Sequence, residues 1–237
     1  MIIFVKLLLA HLIGDFILQP NAWVADKEKK KNRSIYLYIH SVLHGILAFV
    51  LVNETAFSVY ALLLAVLHGL IDFLKLQFQQ KQTQRNWFIV DQLLHLLVII
   101  AITFVYHKQM PDFSFADNHF WILLTALVLL TKPTSIIIKT IISIWTPENK
   151  LDKTDDSLQN AGNYIGMLER LFVFYFVISG HYEAVGFLLA AKSIFRFGDL
   201  KEAKDRKLTE YVLIGTLLSF GLAFLVGLLT NYSLLFG

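Results

Sequence analysis

Four short stretches decide how this chain is read: HLIGD (residues 11–15), HSVLH (40–44), HGLID (68–72) and DQLLH (91–95). Each sets two polar residues four positions apart inside an apolar run. Positions i and i+4 share one face of an α-helix. Each stretch therefore offers a neighbouring helix two potential metal ligands: His11/Asp15, His40/His44, His68/Asp72 and Asp91/His95. Four such pairs in succession predict one polar, metal-binding site assembled from several helices.

The surrounding composition makes those helices membrane helices. Of 237 residues, 56% are hydrophobic and 16% charged, and the mean hydropathy is +0.59. A soluble domain carries about 25% charged residues. Apolar runs of about 18 residues or more recur along the chain, as transmembrane helices require. The first run starts at Met1, extends past the usual length of a signal peptide and lacks a small-residue cleavage site, so it is read as a helix. The absence of cysteine excludes disulfides, thiolate ligands and cysteine nucleophiles. Imidazole and carboxylate must hold any metal.

The expected fold is all-α, a polytopic bundle of about eight spans. They fall near residues 2–19, 35–52, 56–78, 87–106, 120–145 (kinked at Pro133), 162–179, 183–197 and from 208 towards the C-terminus. Residues 20–34, 107–119, 146–161 and 198–207 read as loops. Alternate loops carry thirteen Lys and Arg residues, including Lys27, Lys29, Lys30, Lys31 and Arg33, whereas the opposite set carries Lys108 alone. The positive-inside rule then places both termini outside and the basic loops in the cytoplasm. In a soluble protein KEKKK (27–31) would suggest nucleic-acid binding; beside anionic lipid it is a topology signal.

Orientation fixes depth, at about 1.5 Å per residue. Asp15, His40, Asp72 and Asp91 fall nearer the cytoplasm, and His11, His44, His68 and His95 one turn deeper. Two polar layers at matched depth result. The first two helices resemble the next two, as parallel repeats about an axis along the membrane normal would. Gly45 and Gly69 follow His44 and His68 and would let helices approach closely. Residues 1–106 thus read as a four-helix metal-site bundle with an internal two-fold repeat, and 107–237 as further transmembrane helices of one continuous membrane domain.

Ionisable groups at this depth usually mark function. His11, Asp15, His44, His68, Asp72, Asp91 and His95 are the expected metal ligands, with His40 a ligand or a catalytic base. This donor set suits one or two divalent ions such as zinc, manganese or iron. In the second half, Glu169 and Arg170 lie in GMLERLF, and Lys192 and Arg196 in AAKSIFRFGD. Arg170, Lys192 and Arg196 read as a substrate-anion pocket, with Glu169 a pairing partner or general base. Snorkelling to headgroups is the plainer reading of Lys192 and Arg196. Lys75 would steer an anion or snorkel, and Lys132 and Lys139 read as structural. His107, His119 and His181 read as surface histidines of the outer loops.

HLIGDFILQ, HSVLHG, HGLIDFLK and DQLLH resemble a bacterial integral-membrane family of unknown function that carries an N-terminal HLIGDF motif. The resemblance continues through GNYIGMLERL, AAKSIFRF and EYVLIGTLLS, and so covers most of the chain. It implies the bacterial inner membrane and brings no catalytic assignment. The pattern is also similar to predicted membrane-bound metal-dependent hydrolases, which place His and Asp on transmembrane helices.

The expected activity is metal-dependent hydrolysis of a phosphorylated or lipid substrate at the cytoplasmic face. The expected partners are membrane lipids and a small-molecule or lipid substrate, with no nucleic acid. A metal-ion or proton transporter and a non-catalytic scaffold with a buried polar network are the rival readings. Transport needs a polar route to the outer face, and the outer halves of the first four spans are almost wholly apolar.

Overall fold

A computed structural model describes residues 2–107, 119–146, 156–199 and 206–236, which are helical with short turns and contain no strand. The chain forms two compact units, Met1–Val128 and Leu129–Phe236.

In the first unit, α1 (Ile2–Leu12) runs directly into a π-helical turn, Ile13–Ile17. Such wide turns occur often at functional sites, and this one carries Asp15. Gly14 within it lies so close to the His44 ring that a Cβ would overlap the imidazole. The basic segment read as a loop is largely a helix, α2 (Asn21–Lys30), entered from Pro20. Its Ala, Glu and Lys content favours helix, and Asp26 pairs with Lys30 one turn on, at 2.6 Å. Trp23 stacks on Tyr36, with ring centroids 5.1 Å apart, and fastens α2 to the next helix.

The long helices α3 (Ile35–Val52), α4 (Ser58–Phe78) and α5 (Gln84–His107) follow. Helix α3 ends at Asn53, which adopts the left-handed conformation (φ 58°) expected just beyond a helix C-terminus. At Gly45, an added Cβ would come within 2.9 Å of Ala65 Cβ and 3.1 Å of the Ala61 carbonyl. Small residues here let α3 and α4 pack backbone to backbone. Helix α6 (His119–Leu130) completes the unit.

Along these antiparallel helices the unit divides into two ends. Ile3, Leu7, Ala48, Val52, Phe57, Ala61, Leu64, Ile99 and Ile102 form an apolar cluster at one end. The His and Asp pairs lie at the other end of the same four helices. Large apolar side chains, including Val59, Leu62, Val66 and Leu97, point outward. Apolar outside and polar inside suits lipid as the solvent.

In the second unit, Thr131 interrupts the chain before α7 (Lys132–Ile142), with Pro133 near its start. Pro133 has no N–H for the Leu129 carbonyl, and Thr134 Oγ1 donates to that carbonyl instead, at 2.6 Å. Helices α8 (Asp156–Ile178), α9 (Tyr182–Asp199) and α10 (Arg206–Phe236) follow. Helix α8 starts within the segment expected to be a loop up to residue 161. Gly227 of α10 abuts Val177 of α8, where an added Cβ would meet Val177 Cγ1 at 2.7 Å.

Among the described residues, five helices are long and apolar enough to cross a membrane, or seven if α1 with α2 and α6 with α7 each count as one span. Eight were expected. The difference is α9, an 18-residue helix that carries Glu183, Lys192, Arg196 and Asp199. The chain is an all-helical protein with the helices of a membrane protein. Residues 108–118, 147–155 and 200–205, with Lys108, Lys150, Lys153, Lys201 and Lys204, lie outside the described residues.

Candidate metal centre

The first unit brings all eight anticipated side chains together. His11 of α1, His44 of α3, His68 of α4 and His95 of α5 form the inner layer. The His44 and His68 rings stack with centroids 3.6 Å apart, and His68 and His95 at 4.1 Å. His11 closes the ring against His95 at 5.1 Å and His44 at 5.7 Å. All four are buried. Their matched level follows from the alternating direction of α1, α3, α4 and α5.

Asp15, His40, Asp72 and Asp91 form the second layer, and Asp15 is its focus. Three imidazole nitrogens converge on Asp15 Oδ1: His44 Nε2 at 3.0 Å, His40 Nε2 at 3.1 Å and His68 Nε2 at 3.5 Å. His11 Nε2 lies 3.7 Å from Asp15 Oδ2. Metal–ligand bonds of about 2.0–2.2 Å at tetrahedral angles put neighbouring donor atoms about 3.3–3.6 Å apart. The observed spacings bracket that edge length.

Hydrogen bonding alone does not satisfy the cluster. His40 Nε2 meets the Gln19 amide nitrogen at 2.9 Å, His68 Nε2 at 3.1 Å and Asp15 Oδ1 at 3.1 Å. The Gln19 amide needs an acceptor and the carboxylate needs a donor, so no single tautomer of His40 serves both. His40 Nδ1, Asp91 Oδ1 and both ring nitrogens of His95 are buried without a hydrogen-bond partner, and His44 Nε2 has Asp15 Oδ1 alone. Each unpartnered atom costs about 1–3 kcal/mol. A cation held at this point would satisfy several at once. A cavity of about 10 Å³ is lined by His11, His44, His68 and His95 together with Leu7, Leu64 and Ile99.

Three donor sets have ligand atoms close enough to share an ion: His11, Asp15, His44 and His68; His40, His68 and Asp72; and Asp15, Asp91 and His95. Asp15 and His68 each belong to two of them. A carboxylate has two oxygens for two ions; a single imidazole nitrogen serves one.

Three further residues complete the site: Lys27 and Gln92, not expected there, and Lys75, expected to steer an anion or snorkel. Lys27 of α2 is buried and donates to Asp72 Oδ2 at 2.7 Å. Lys75 of α4 donates to Asp91 Oδ2 at 2.9 Å and lies over the Phe88 ring. Gln92 Nε2 donates to Asp15 Oδ2 at 3.0 Å and to Asp91 Oδ2 at 3.2 Å, and its Oε1 accepts from His11 Nε2 at 3.2 Å. The signals were faint. Gln92 is a lone amide in an apolar run, and Gln19 lies one turn after Asp15. Lys27 sits inside a basic run whose charge already had an explanation.

The second unit treats its charges differently. Glu169 pairs with Lys192. Buried Arg170 donates through Nε to the Leu130 carbonyl at 2.6 Å and through Nη2 to the Thr131 carbonyl at 3.0 Å. It also donates through Nη2 to Ser135 Oγ at 2.6 Å and through Nη1 to Ser219 Oγ at 3.3 Å. It thereby caps the carbonyls at the break before α7, of which that of Thr131 also accepts from Ser135 N and Oγ. Arg196 lies on α9, and its side chain is outside the described residues. His107 and His119 stand at the ends of α5 and α6, and exposed His181 contacts Ser179 Oγ at 3.2 Å.

A family model described as a protein of unknown function (DUF3307) matches residues 3–124, about half of the chain and every residue of the His/Asp cluster. No curated protein and no solved structure matches the chain.

Proposed function

This chain belongs to the DUF3307 family of proteins of unknown function, and we propose that it is an integral-membrane, metal-dependent hydrolase whose site opens to the cytoplasm. The observation that carries the reading is the convergence of His40, His44 and His68 on one oxygen of Asp15, beside buried donor atoms without partners. Imidazole and carboxylate donors suit zinc, manganese or iron. Asp15 serves two ions: one also takes His11, His44 and His68, and the other takes Asp91 and His95. The first set has four ligands and is closed; the second has three and keeps a position open for water or substrate. An ion so held supplies a Lewis acid and lowers the pKa of water it binds towards about 7.

The remaining groups have roles around that centre. His40, beside Asp15 and His68, is the base that takes a proton. Asp72 orients the cluster with Lys27, or ligates the metal with His40 and His68. Lys75, partly exposed beside Asp91, steers an anionic substrate, so a phosphorylated or lipid headgroup is the favoured class. Glu169, Arg170, Lys192 and Arg196 belong to the second unit. The eight-pass arrangement, with α9 as a short span and both termini outside, is the reading of the loop charge asymmetry; the bacterial inner membrane is what the family resemblance implies. The apolar cluster of Ile3, Leu7, Val52, Phe57 and Ile102 closes the far end of the first unit and favours hydrolysis over transport.

The test is elemental mass spectrometry on protein purified in mild detergent without a metal-binding tag, followed by turnover of phosphoesters and phospholipids. The expected result is about two equivalents of metal, about half of it lost on His68→Ala, with turnover that chelation abolishes. No bound metal after reconstitution would end the hydrolase reading.

A further inference from the structure

The second unit contains a cavity of about 310 Å³ lined by α7, α8, α9 and α10. That is the lower end of the size range for small-molecule sites. Its walls include Lys139, Glu169, Arg170 and Lys192, together with the neutral polar groups of Asn163 and Tyr211. Glu169 and Lys192 neutralise one another. Lys139 and Arg170 then leave the cavity with two positive charges.

Among the described residues, Arg170 has hydrogen bonds only to neutral groups: two carbonyls and two serine hydroxyls. Its guanidinium has five N–H donors. Four are engaged, and the fifth belongs to Nη1, whose one bond, to Ser219, is the longest of the set at 3.3 Å. A Cβ on Gly166 would lie 3.5 Å from that same Nη1, and Gly166 lines the cavity. A glycine there leaves the guanidinium edge open to the cavity. One turn earlier, Gly162 has nothing within 4 Å of where its Cβ would be. A buried cation bonded only to neutral groups gains from an anion at its open edge.

We propose that the second unit carries an oxyanion-binding site of its own, in which Arg170 Nη1 and the Lys139 ammonium take a phosphate group, with Asn163 and Tyr211 as neutral donors. The site differs from the anion pocket expected from sequence. Lys139 replaces Lys192 as the second cation, because Lys192 is held by Glu169. The proposal does not rest on the hydrolase reading and requires no metal.

The test uses the full-length protein with a chelator present throughout, so that the His/Asp cluster contributes nothing. Inorganic phosphate is titrated calorimetrically. In parallel, nanodiscs of phosphatidylglycerol or of phosphatidylcholine are compared by native mass spectrometry for retained lipid. Lys139→Gln and Gly166→Leu should each weaken binding about tenfold or more, whereas Lys132→Gln, an exposed lysine of the same helix, should not. Both variants leave the hydrogen bonds of Arg170 in place, and size-exclusion profiles check that they fold. Phosphate that binds alone and competes with phosphatidylglycerol identifies the bare anion as sufficient. Retention of phosphatidylglycerol without phosphate binding identifies a tethered headgroup. Equal weakening by Lys132→Gln would mean diffuse attraction to basic residues and overturn the site. So would wild-type binding by both Lys139→Gln and Gly166→Leu, or no binding of either probe.

Discussion

The two units bury charge in opposite ways. In the first, side chains from four helices converge on Asp15 and leave four buried nitrogen and oxygen atoms without hydrogen-bond partners. In the second, Arg170 ends on backbone carbonyls and serines, and Glu169 ends on Lys192. One arrangement leaves several donor atoms that a cation could share; the other spends most of its donors on its own backbone and serines. Low dielectric makes both choices consequential, because an unpaired polar atom in lipid has no water to turn to. A buried ionisable residue in a membrane helix is therefore not by itself a site. What distinguishes a site is the set of donor atoms left over after local partners are counted.

The strongest challenge to this contrast is Asp15→Asn. If Asp15 serves two ions, its loss should remove nearly all bound metal, whereas His95→Ala should remove about half. Elemental analysis of the two variants, side by side, decides this. Equal losses from both would reduce the centre to a single ion.

Arg170→Met attacks the other unit. Four hydrogen bonds from a charged group disappear, and the Leu130 carbonyl loses its side-chain donor, whereas the Thr131 carbonyl keeps Ser135 N and Oγ. At about 1.5–3 kcal/mol for each bond to a charged group, the expected loss is at least about 5 kcal/mol, enough to abolish a monodisperse size-exclusion peak. Asp15→Asn should fold normally in the same assay. If Arg170→Met folds as well as the wild type, the structural account of this residue fails.

These contrasts also explain what the sequence made legible. The His and Asp pairs announced themselves because both members lie on one helix, one turn apart, in an apolar background. Their matched depth followed from helix direction alone. Lys27 was hidden because α2 was read as a loop. Its charges suggested solvent, whereas Asp26–Lys30 pairing and the Trp23–Tyr36 stack make it a helix that delivers Lys27 to Asp72. Arg170 was hidden for a different reason. Its partners are backbone carbonyls, which carry no residue signature, so no spacing rule reveals them. The charges of α9 suggested an anion pocket, but the nearest answer to Lys192 was Glu169 on α8.

Lys27→Met asks whether the lysine is a stand-in for metal charge. Removing it leaves Asp72 buried without its cation, a loss of about 3 kcal/mol for a broken buried pair. In the presence of zinc the loss should shrink, because the ion supplies charge to the same cluster. Thermal unfolding in chelator and in excess zinc gives both numbers. An equal loss in the two conditions would separate Lys27 from the metal centre and return it to a purely structural role.

The smallest expected effect concerns the frame that keeps the two layers level. Gly45 lets α3 approach α4, and an added Cβ would press on Ala65 Cβ at 2.9 Å and the Ala61 carbonyl at 3.1 Å. Backbone and a short methyl group cannot swing aside, so Gly45→Ala must separate the helices by a few tenths of an ångström. The overpacking should cost about 1–3 kcal/mol. Because His44 precedes Gly45 and His68 lies on α4, the same displacement moves the stacked rings apart. Metal affinity should fall while stoichiometry is kept, which a competition titration with a chelating dye would read. Gly186→Ala, in the second unit where nothing lies within 4 Å of the added Cβ, should leave both stability and affinity unchanged. If Gly45→Ala matches that control, helix spacing does not set the geometry of the centre, and the ring of histidines is held by its own contacts.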